Sequence, residues 1–454
     1  MFRKVQHIHF VGVGGSGMSG IAEVLLNLGY QVTGSDLHAS ENTRRIEERG
    51  GKVFLGHHPH HLEGAQVVVI SSAVSPKNVE VITARERSIP VIPRAEMLAE
   101  LMRLKYGIAI AGAHGKTTTT SMVATVLAQG GLDPTAVIGG KLNSFGGHAK
   151  LGQGEFLVAE ADESDGSFLK LTPTIAVVTN IDREHLDFFK GIDAIRHAFL
   201  QFVNKVPFYG LAVLCQDQVH VQELIPKVEK RILTFGITSS ADLVAKEIEL
   251  EGWKSTFSVT YQNRNLGRFQ LTLPGIHNVY NALAAIGVGL ELELDVSFIQ
   301  KALSEFSGVE RRFQCLGEKR GILIIDDYGH HPTEVKATLD AVRAGWSRRV
   351  VVLFQPHRYT RTRDLMKEFS VAFHQADSLI VTDIYPAGEE RIEGIHGEGL
   401  VKQIQAEGHP NVTYQPKTET LAEKIGALLK PGDILLTLGA GDIGRVGREV
   451  YDIL

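Results

Sequence analysis

Cysteine is nearly absent. Cys215 and Cys315 are the only two in 454 residues, so no disulfide framework is available and a reducing compartment fits. Long apolar runs are missing too: no stretch reaches the roughly 20 residues a membrane helix needs. The N-terminal residues Met1 to Phe10 enter a strand without the apolar core of a signal peptide. A cytoplasmic location without membrane insertion is therefore expected. Basic excess is lacking as well. Lys and Arg number 47 against 52 Asp and Glu, a net charge of −5, which argues against non-specific nucleic-acid binding. What remains is 43% hydrophobic and 22% charged, the composition of soluble globular domains with ample core. The length suggests about three of them.

The chain is organised around Tyr106-Gly-Ile-Ala-Ile-Ala-Gly112-Ala113-His114-Gly115-Lys116-Thr117-Thr118-Thr119. An apolar strand, Ile108 to Ala111, breaks into a glycine turn and continues into the helical stretch Ser121 to Ala128. Strand, glycine turn, Lys-Thr and helix together make a phosphate cradle. Glycines let backbone N–H groups crowd an anion, and the helix N-terminus adds partial positive charge. Lys116 is placed to reach β- and γ-phosphates, and Thr117 offers a hydroxyl to Mg²⁺. A cradle lysine of this kind is expected to face solvent until ATP arrives. The strict P-loop pattern asks for glycine at position 110, where this chain has Ile110.

Upstream, the strand His7 to Val11 leads into Gly12-Val-Gly14-Gly15-Ser16-Gly17 and an apolar-periodic helix. This is the diphosphate-binding turn of a Rossmann unit, and Asp36 ends the next strand where a ribose hydroxyl would sit. A third strand, Val67 to Ile70, ends in Ser71 and Ser72, either ligand contacts or a serine-capped turn. The run His57-His58-Pro59-His60-His61 reads as a solvated loop, because no Cys, Asp or Glu flanks it with ligand spacing.

Beyond the cradle, the strand Glu155 to Glu160 opens into Ala161-Asp162-Glu163-Ser164-Asp165. An acid at a strand end is how ATP sites hold a metal ion. The next strand delivers Asp182-Arg183-Glu184-His185; His185 is either a group at a second ion or a hydrogen-bonded loop histidine. Asn278 and Asn281 lie three apart on one helix face. Their amides suit adenine recognition, with helix capping by Asn278 as the alternative. The last section alternates strands (321–326, 350–355, 378–383, 433–438) with helical stretches, a second doubly wound unit. Its strand ends carry Asp326 to Pro332, Gln355 to Thr362 and Gly439 to Asp442. His357, Arg358 and Arg361 form a cationic group suited to carboxylates or phosphates.

In this order and combination, Gly12–Gly17, Gly112–Thr118, Glu160–Asp165, Pro207–Gly210, His277-Asn278-x-x-Asn281, Asp326–Pro332 and Gln355–Thr362 resemble the Mur ligase family over essentially the whole chain. The resemblance implies an α/β protein of three domains: Rossmann-like 1–103, a P-loop ATPase-like 104–310, and a Rossmann-like 311–454. The family's shorter loop, Gly-x-x-Gly-Lys-Thr, makes Ile110 no defect. Within the family the chain is similar to the alanine-adding branch, which implies UDP-N-acetylmuramate, L-alanine and ATP as substrates, with Mg²⁺. By that resemblance Gly12, Gly14, Gly15, Ser16, Gly17, Asp36, Ser71 and Ser72 meet the UDP-sugar. Gly112 to Thr118, Asn278, Asn281, Arg312 and Asp327 meet the nucleotide. Thr117, Glu160 and His185 hold metal, and Lys116, Glu160 and His185 are the catalytic set. Tyr328, His330, His357, Arg358 and Arg361 line the amino-acid side. The carbamylated lysine of several relatives has no counterpart in Asp193 to Phe199, nor has it in the alanine-adding branch.

The implied reaction runs in two steps, carboxylate on γ-phosphate and then amine on the acyl phosphate, in peptidoglycan precursor synthesis. Little covalent chemistry is asked of the protein, which fits the absence of a nucleophilic Ser or Cys constellation. Three readings compete: the family's tripeptide-recycling ligase, a nicotinamide oxidoreductase acting through Gly12–Gly17, and a non-catalytic nucleotide switch. A monomer or homodimer is expected, with no nucleic-acid partner.

Overall fold

The computed structural model describes residues 5–71, 73–142, 147–185, 188–238 and 240–454. Ser72 and the side chain of Ser16, both expected at the first ligand turn, lie outside the described residues. The fold is α/β throughout, built on three sheets.

Strands β1 (His7–Val11), β2 (Gln31–Asp36), β3 (Lys52–Leu55), β4 (Val67–Ile70) and β5 (Val91–Pro93) form a parallel sheet ordered β3-β2-β1-β4-β5. The order reverses direction between β1 and β4, and open parallel sheets bind ligands at that crevice. Gly12 leaves β1 there and Ser71 leaves β4.

The second sheet contains β6 (Tyr106–Ala111), β7 (Thr135–Leu142), β8 (Gly147–Lys150), β9 (Phe156–Glu160), β10 (Ile175–Val178), β11 (Leu211–Cys215), β12 (Ile232–Gly236), β13 (Leu243–Glu251), β14 (Lys254–Tyr261) and β15 (Arg264–Leu271). Its order is β15-β14-β13-β12-β11-β10-β6-β9-β7-β8. Strand β6 lies between β9 and β10, all parallel, with Ile110 beside Glu160 and Ala111 beside Val178. The segments that leave these three strands therefore emerge at one sheet edge. The third sheet contains β16 (Gln314–Lys319), β17 (Ile322–Asp327), β18 (Arg349–Phe354), β19 (Ser378–Val381), β20 (Val412–Tyr414) and β21 (Asp433–Leu438), ordered β16-β17-β21-β18-β19-β20. Asp327, Leu438, Phe354 and Val381 stand side by side, which brings three polar clusters to a common edge.

The chain divides into two compact units. One comprises Met1–Lys246, Ser258–Phe269 and Tyr280–Ser307; the other comprises Glu247–Phe257, Gln270–Val279 and Gly308–Leu454. The second unit claims the Glu247–Phe257 tip through aromatic packing: Trp253 meets Trp346 edge-on at 4.9 Å and Phe313 at 5.9 Å.

The histidine run is solvated only in part: His58 and His60 are exposed, whereas His57 and His61 are not. His57 and His61 turn inward onto Glu80, a fully buried residue of the helix Val79–Glu86. Its carboxylate lies 3.1 Å from His57 Nδ1 and 2.6 Å from His61 Nδ1, and accepts from Ser35 Oγ at 2.5 Å and the His58 N–H at 3.2 Å. The acid comes from a separate helix about 20 residues along the chain, beyond what ligand spacing within the run can register. Burial alone would raise the Glu80 pKa, but His9, Ser35 and His61 reverse that and hold it at about 2. A carboxyl depressed in the folded state adds stability that is complete above its ordinary pKa near 4.5 and vanishes as pH falls through about 2. The contribution is about 3 kcal/mol. Glu80→Gln should therefore be less stable than the parent at pH 7, with the gap closing toward pH 2 in urea melts taken at several pH values. A gap that stays constant with pH would refute this.

Candidate active site

The cradle is shaped by two glycines. Gly112 has φ +138°, and a Cβ there would run into Thr179 Oγ1; Gly115 has φ +83°, and a Cβ would lie 2.5 Å from Asn281 Oδ1. No side chain fits either position. The end of β10 braces the turn between them. Asn180 Oδ1 accepts from the His114 N–H at 2.8 Å, while Asn180 Nδ2 and Thr179 Oγ1 donate to the His114 carbonyl at 2.9 and 2.7 Å. Asp182 Oδ2 lies 3.0 Å from His114 Nε2.

Gly115 opens the helix Lys116–Gln129, which starts five residues earlier than the apolar stretch suggested. Thr117 to Thr120 are poor helix formers, yet all four are buried, so tertiary packing holds the first turn. Ser121 Oγ and Thr125 Oγ1 bond back to carbonyls four residues earlier. Thr119 Oγ1 donates to Asn281 Oδ1 at 3.1 Å, tying this helix to the helix Ile276–Glu291. Asn278 is not that helix's cap. It lies inside the first turn and its amide donates to the Pro274 carbonyl at 2.7 Å.

Lys116 does not face solvent. Its side chain is 16% exposed, and Nζ donates to the Gly112 carbonyl at 2.6 Å and pairs with Glu163 at 2.8 Å. Burial alone would lower its pKa; the carboxylates of Glu163, Asp162 and Glu184 outweigh this and hold the ammonium charged. The expectation of a free lysine took no account of the acidic strand end beside it.

The acidic segment splits into separate jobs. Glu160 Oε1 accepts from the Gly139 N–H at 2.6 Å. Asp162 pairs with Arg94 at 3.2 Å. Glu163 gathers with Glu184 and His185, one ligand atom from each lying within 4.8 Å of the others. His185 is held at φ +54°, with Nε2 3.6 Å from Glu184 and 3.8 Å from Glu163. Among the described residues, Glu163 Oε2 is buried with no hydrogen-bond partner. Two carboxylates and an imidazole with an orphaned buried oxygen fit a divalent cation. Of Thr117, Glu160 and His185, only His185 belongs to this group.

At the first turn, the Gly12 and Val13 N–H groups donate to the Ser35 carbonyl. Asp36 Oδ2 accepts from the Gly14 N–H at 2.8 Å and Oδ1 from the His38 N–H at 3.3 Å. The carboxylate expected at a ribose thus also fixes the turn itself. Gly15 precedes the helix Ser16–Asn27 and Gly17 lies in its first turn, where a Cβ would strike the Arg94 guanidinium.

In the second unit, Arg358 has φ +70° and its Nε pairs with Glu389 at 3.0 Å. Glu389 also accepts from the Thr360 N–H at 3.0 Å and hydroxyl at 2.6 Å. Arg361 Nη1 lies 3.2 Å from His357 Nδ1. His357 stacks on Tyr385 at 5.5 Å and meets His330 edge-on at 5.6 Å; His330 meets Tyr328 at 5.4 Å. Burial, then His330, Arg361, Arg358 and Arg311, push His357 down to about 3. His357 is therefore neutral, and the positive charge expected of three residues belongs to the arginines. Arg311 and Arg312 add more, each within about 5 Å of the Tyr328 ring centre. Asp327 is spent locally, accepting from the Phe313 and Gly329 N–H groups at 2.7 Å each.

Thr179, Asn180, Asp182, Glu163, Glu184, Arg94, Arg311 and Glu389 had no assigned role in the sequence reading. Those after β9 and β10 could have been found from strand-end position alone; Arg94 and Glu389 carried no local signal.

A glycine-turned lysine helix beside an acidic strand end, on parallel sheets with ligand crevices at their carboxyl edges, defines a nucleotide-phosphate-binding α/β protein. Three descriptions match in succession: "Mur ligase family, catalytic domain" over residues 7–106, "Mur ligase middle domain" over 110–289, and "Mur ligase, glutamate ligase domain" over 311–441. The chain belongs to the Mur ligase family. It is 60% identical over 454 residues to a UDP-N-acetylmuramate–L-alanine ligase of Geotalea daltonii, covering 100% of this chain and 99% of the relative. A UDP-N-acetylmuramate-alanine ligase structure from Thermotoga maritima superposes with a TM-score of 0.82 at 28% identity, covering 98% of each chain. A murein peptide ligase from Psychrobacter arcticus shares the fold with a TM-score of 0.72 at 24% identity, also over 98% of each chain.

Proposed function

We propose that this chain is an ATP-dependent amide ligase that joins L-alanine to UDP-N-acetylmuramate in cytoplasmic peptidoglycan precursor synthesis. The observation that carries this is full-length identity of 60% to a protein so named, and the cradle geometry supports it. Residues 1–103 are assigned the UDP-sugar, 104–310 the nucleotide and 311–454 the amino acid. A carboxylate oxygen of the sugar attacks the γ-phosphorus and ADP leaves. The alanine nitrogen then adds to the acyl carbon, loses a proton, and phosphate departs.

The protein's part is to position and screen. The N–H groups at Gly115 to Thr118 and the Lys116 ammonium face the phosphates, stabilising charge that grows in the transition state. Asn281, already buried against Thr119, and Asn278 form the adenine side. Mg²⁺, when bound, would neutralise phosphate charge; Thr117, Glu160 and His185 are its proposed holders, with Glu163 and Glu184 gathered around His185. Arg358 and Arg361 hold the alanine carboxylate, and the neutral ring of His357 leaves that charge to them. Among the described residues no helix is long and apolar enough to cross a membrane.

ADP release measured with ATP, UDP-N-acetylmuramate and a panel of L-alanine, glycine, L-serine and an alanyl tripeptide tests this reading. Release should need all three substrates and favour L-alanine. Preference for the tripeptide, or release without the UDP-sugar, would sink it.

A further inference from the structure

Arg358 occupies a backbone conformation that L residues rarely adopt. Its φ of +70° with ψ 136° lies outside even the small left-handed helical region. Something must hold it there, and one segment does. Residues 385–389, a few positions beyond β19, run beside Pro356 to Arg358. The Tyr385 N–H donates to the Pro356 carbonyl at 2.8 Å, and the Arg358 N–H donates to the Tyr385 carbonyl at 2.8 Å. The segment then turns through Ala387 at φ +49° and Gly388 at φ +85°. The Glu389 N–H closes that turn on the Pro386 carbonyl at 3.0 Å. Two strained non-glycine residues thus flank one contact, and such strain persists where the surroundings over-determine a geometry. The contact is made by Glu389. Its Oε1 pairs with Arg358 Nε at 3.0 Å and accepts from the Thr360 hydroxyl at 2.6 Å; Oε2 accepts from the Thr360 N–H at 3.0 Å. Burial alone would raise the Glu389 pKa, but the Thr360 groups and the Arg358 charge reverse this and keep the carboxylate ionised.

Resting on the alanine-ligase reading above, we propose that Glu389 is a positioning residue for the amino-acid carboxylate, acting through Arg358. A guanidinium is planar, so a partner on Nε fixes the plane in which its other N–H groups meet a second carboxylate. Thr360 fixes Glu389 in turn, and two chain segments together decide where the fork points. Without Glu389 the charge of Arg358 would remain and its direction would not. An opposite effect competes: Glu389 is itself an anion, and removing it strengthens the field that attracts a carboxylate. Alanine arrives as a zwitterion without net charge, so that gain is small and the lost direction decides the sign.

Steady-state kinetics on the full chain test this, with ADP release as the signal and each substrate varied in turn. Glu389→Gln should raise the KM for L-alanine about tenfold and change kcat less than about threefold. The KM values for ATP and UDP-N-acetylmuramate should stay within about twofold, a split that a merely structural role would not give. Combined with Arg358→Lys, Glu389→Gln should add nothing to the alanine KM of Arg358→Lys alone, because both act through one guanidinium. Thr360→Val keeps the carboxylate but removes one of its anchors, and should give a smaller rise in the same constant. Should Glu389→Gln fail to fold by circular dichroism, Glu389→Asp, too short to keep both partners, carries the same comparison. A lower alanine KM in Glu389→Gln, equal losses for all three substrates, or additive effects in the double variant would each overturn the proposal. An unchanged alanine KM in Arg358→Lys would instead overturn the assignment of the carboxylate to Arg358, on which the proposal rests.

Discussion

Replacing Lys116 with alanine is expected to lower kcat by about 10²–10³, the cost of one well-placed stabiliser of transition-state charge. The structure adds a second effect that a solvent-facing lysine would not have. Glu163 would be left as a buried carboxylate without its cation, a loss of about 3–5 kcal/mol when one partner of a buried pair is removed. Lys116→Ala should therefore melt at a lower temperature as well as turn over slowly. Adding Glu163→Gln to it removes the uncompensated charge. The double variant should recover most of the stability and none of the turnover, which separates the two roles in one calorimetric and kinetic series. Near-normal turnover by Lys116→Ala would remove the nucleotide reading.

Arg358→Lys and Arg361→Lys should raise the KM for L-alanine by roughly 10- to 100-fold, as expected for losing a charge-assisted hydrogen bond. Lysine keeps the charge but not the planar fork that meets a carboxylate with two N–H groups. The larger change is expected at Arg358, whose Nε already pairs with Glu389 at 3.0 Å. An ammonium cannot hold both Glu389 and a substrate carboxylate in that geometry. The UDP-sugar should bind both variants normally in the absence of ATP, and the acyl phosphate should still be trapped by borohydride. If both variants ligate L-alanine normally and instead lose the UDP-sugar, the amino-acid site has been put in the wrong domain.

Much of this was readable from spacing because its cause is local. A buried strand, glycines at the turn and Lys-Thr at a helix start specify the cradle within a dozen residues. The same holds for Gly12–Gly17. In both places the backbone must take a conformation, or come near a neighbour, that other residues resist. Parallel sheets were legible for a similar reason: strands buried on both faces read as continuous apolar runs. The acidic segment was found, but not how its carboxylates are shared out. Glu160 meets Gly139, Asp162 meets Arg94 and Glu163 meets Lys116. These partners come from separate elements, and no periodicity connects them.

The sequence by itself determined the local chemistry: which turns free backbone N–H groups for an anion, and which strand ends carry charge. Only the tertiary structure decided the state of those groups. It placed Glu80 under the histidine run, made His357 neutral beside Arg358 and Arg361, and paired Lys116 with Glu163. The reason is electrostatic. Charge and proton affinity depend on burial and on groups a few ångströms away, and sheet order, which short-range pattern does not encode, decides which groups those are.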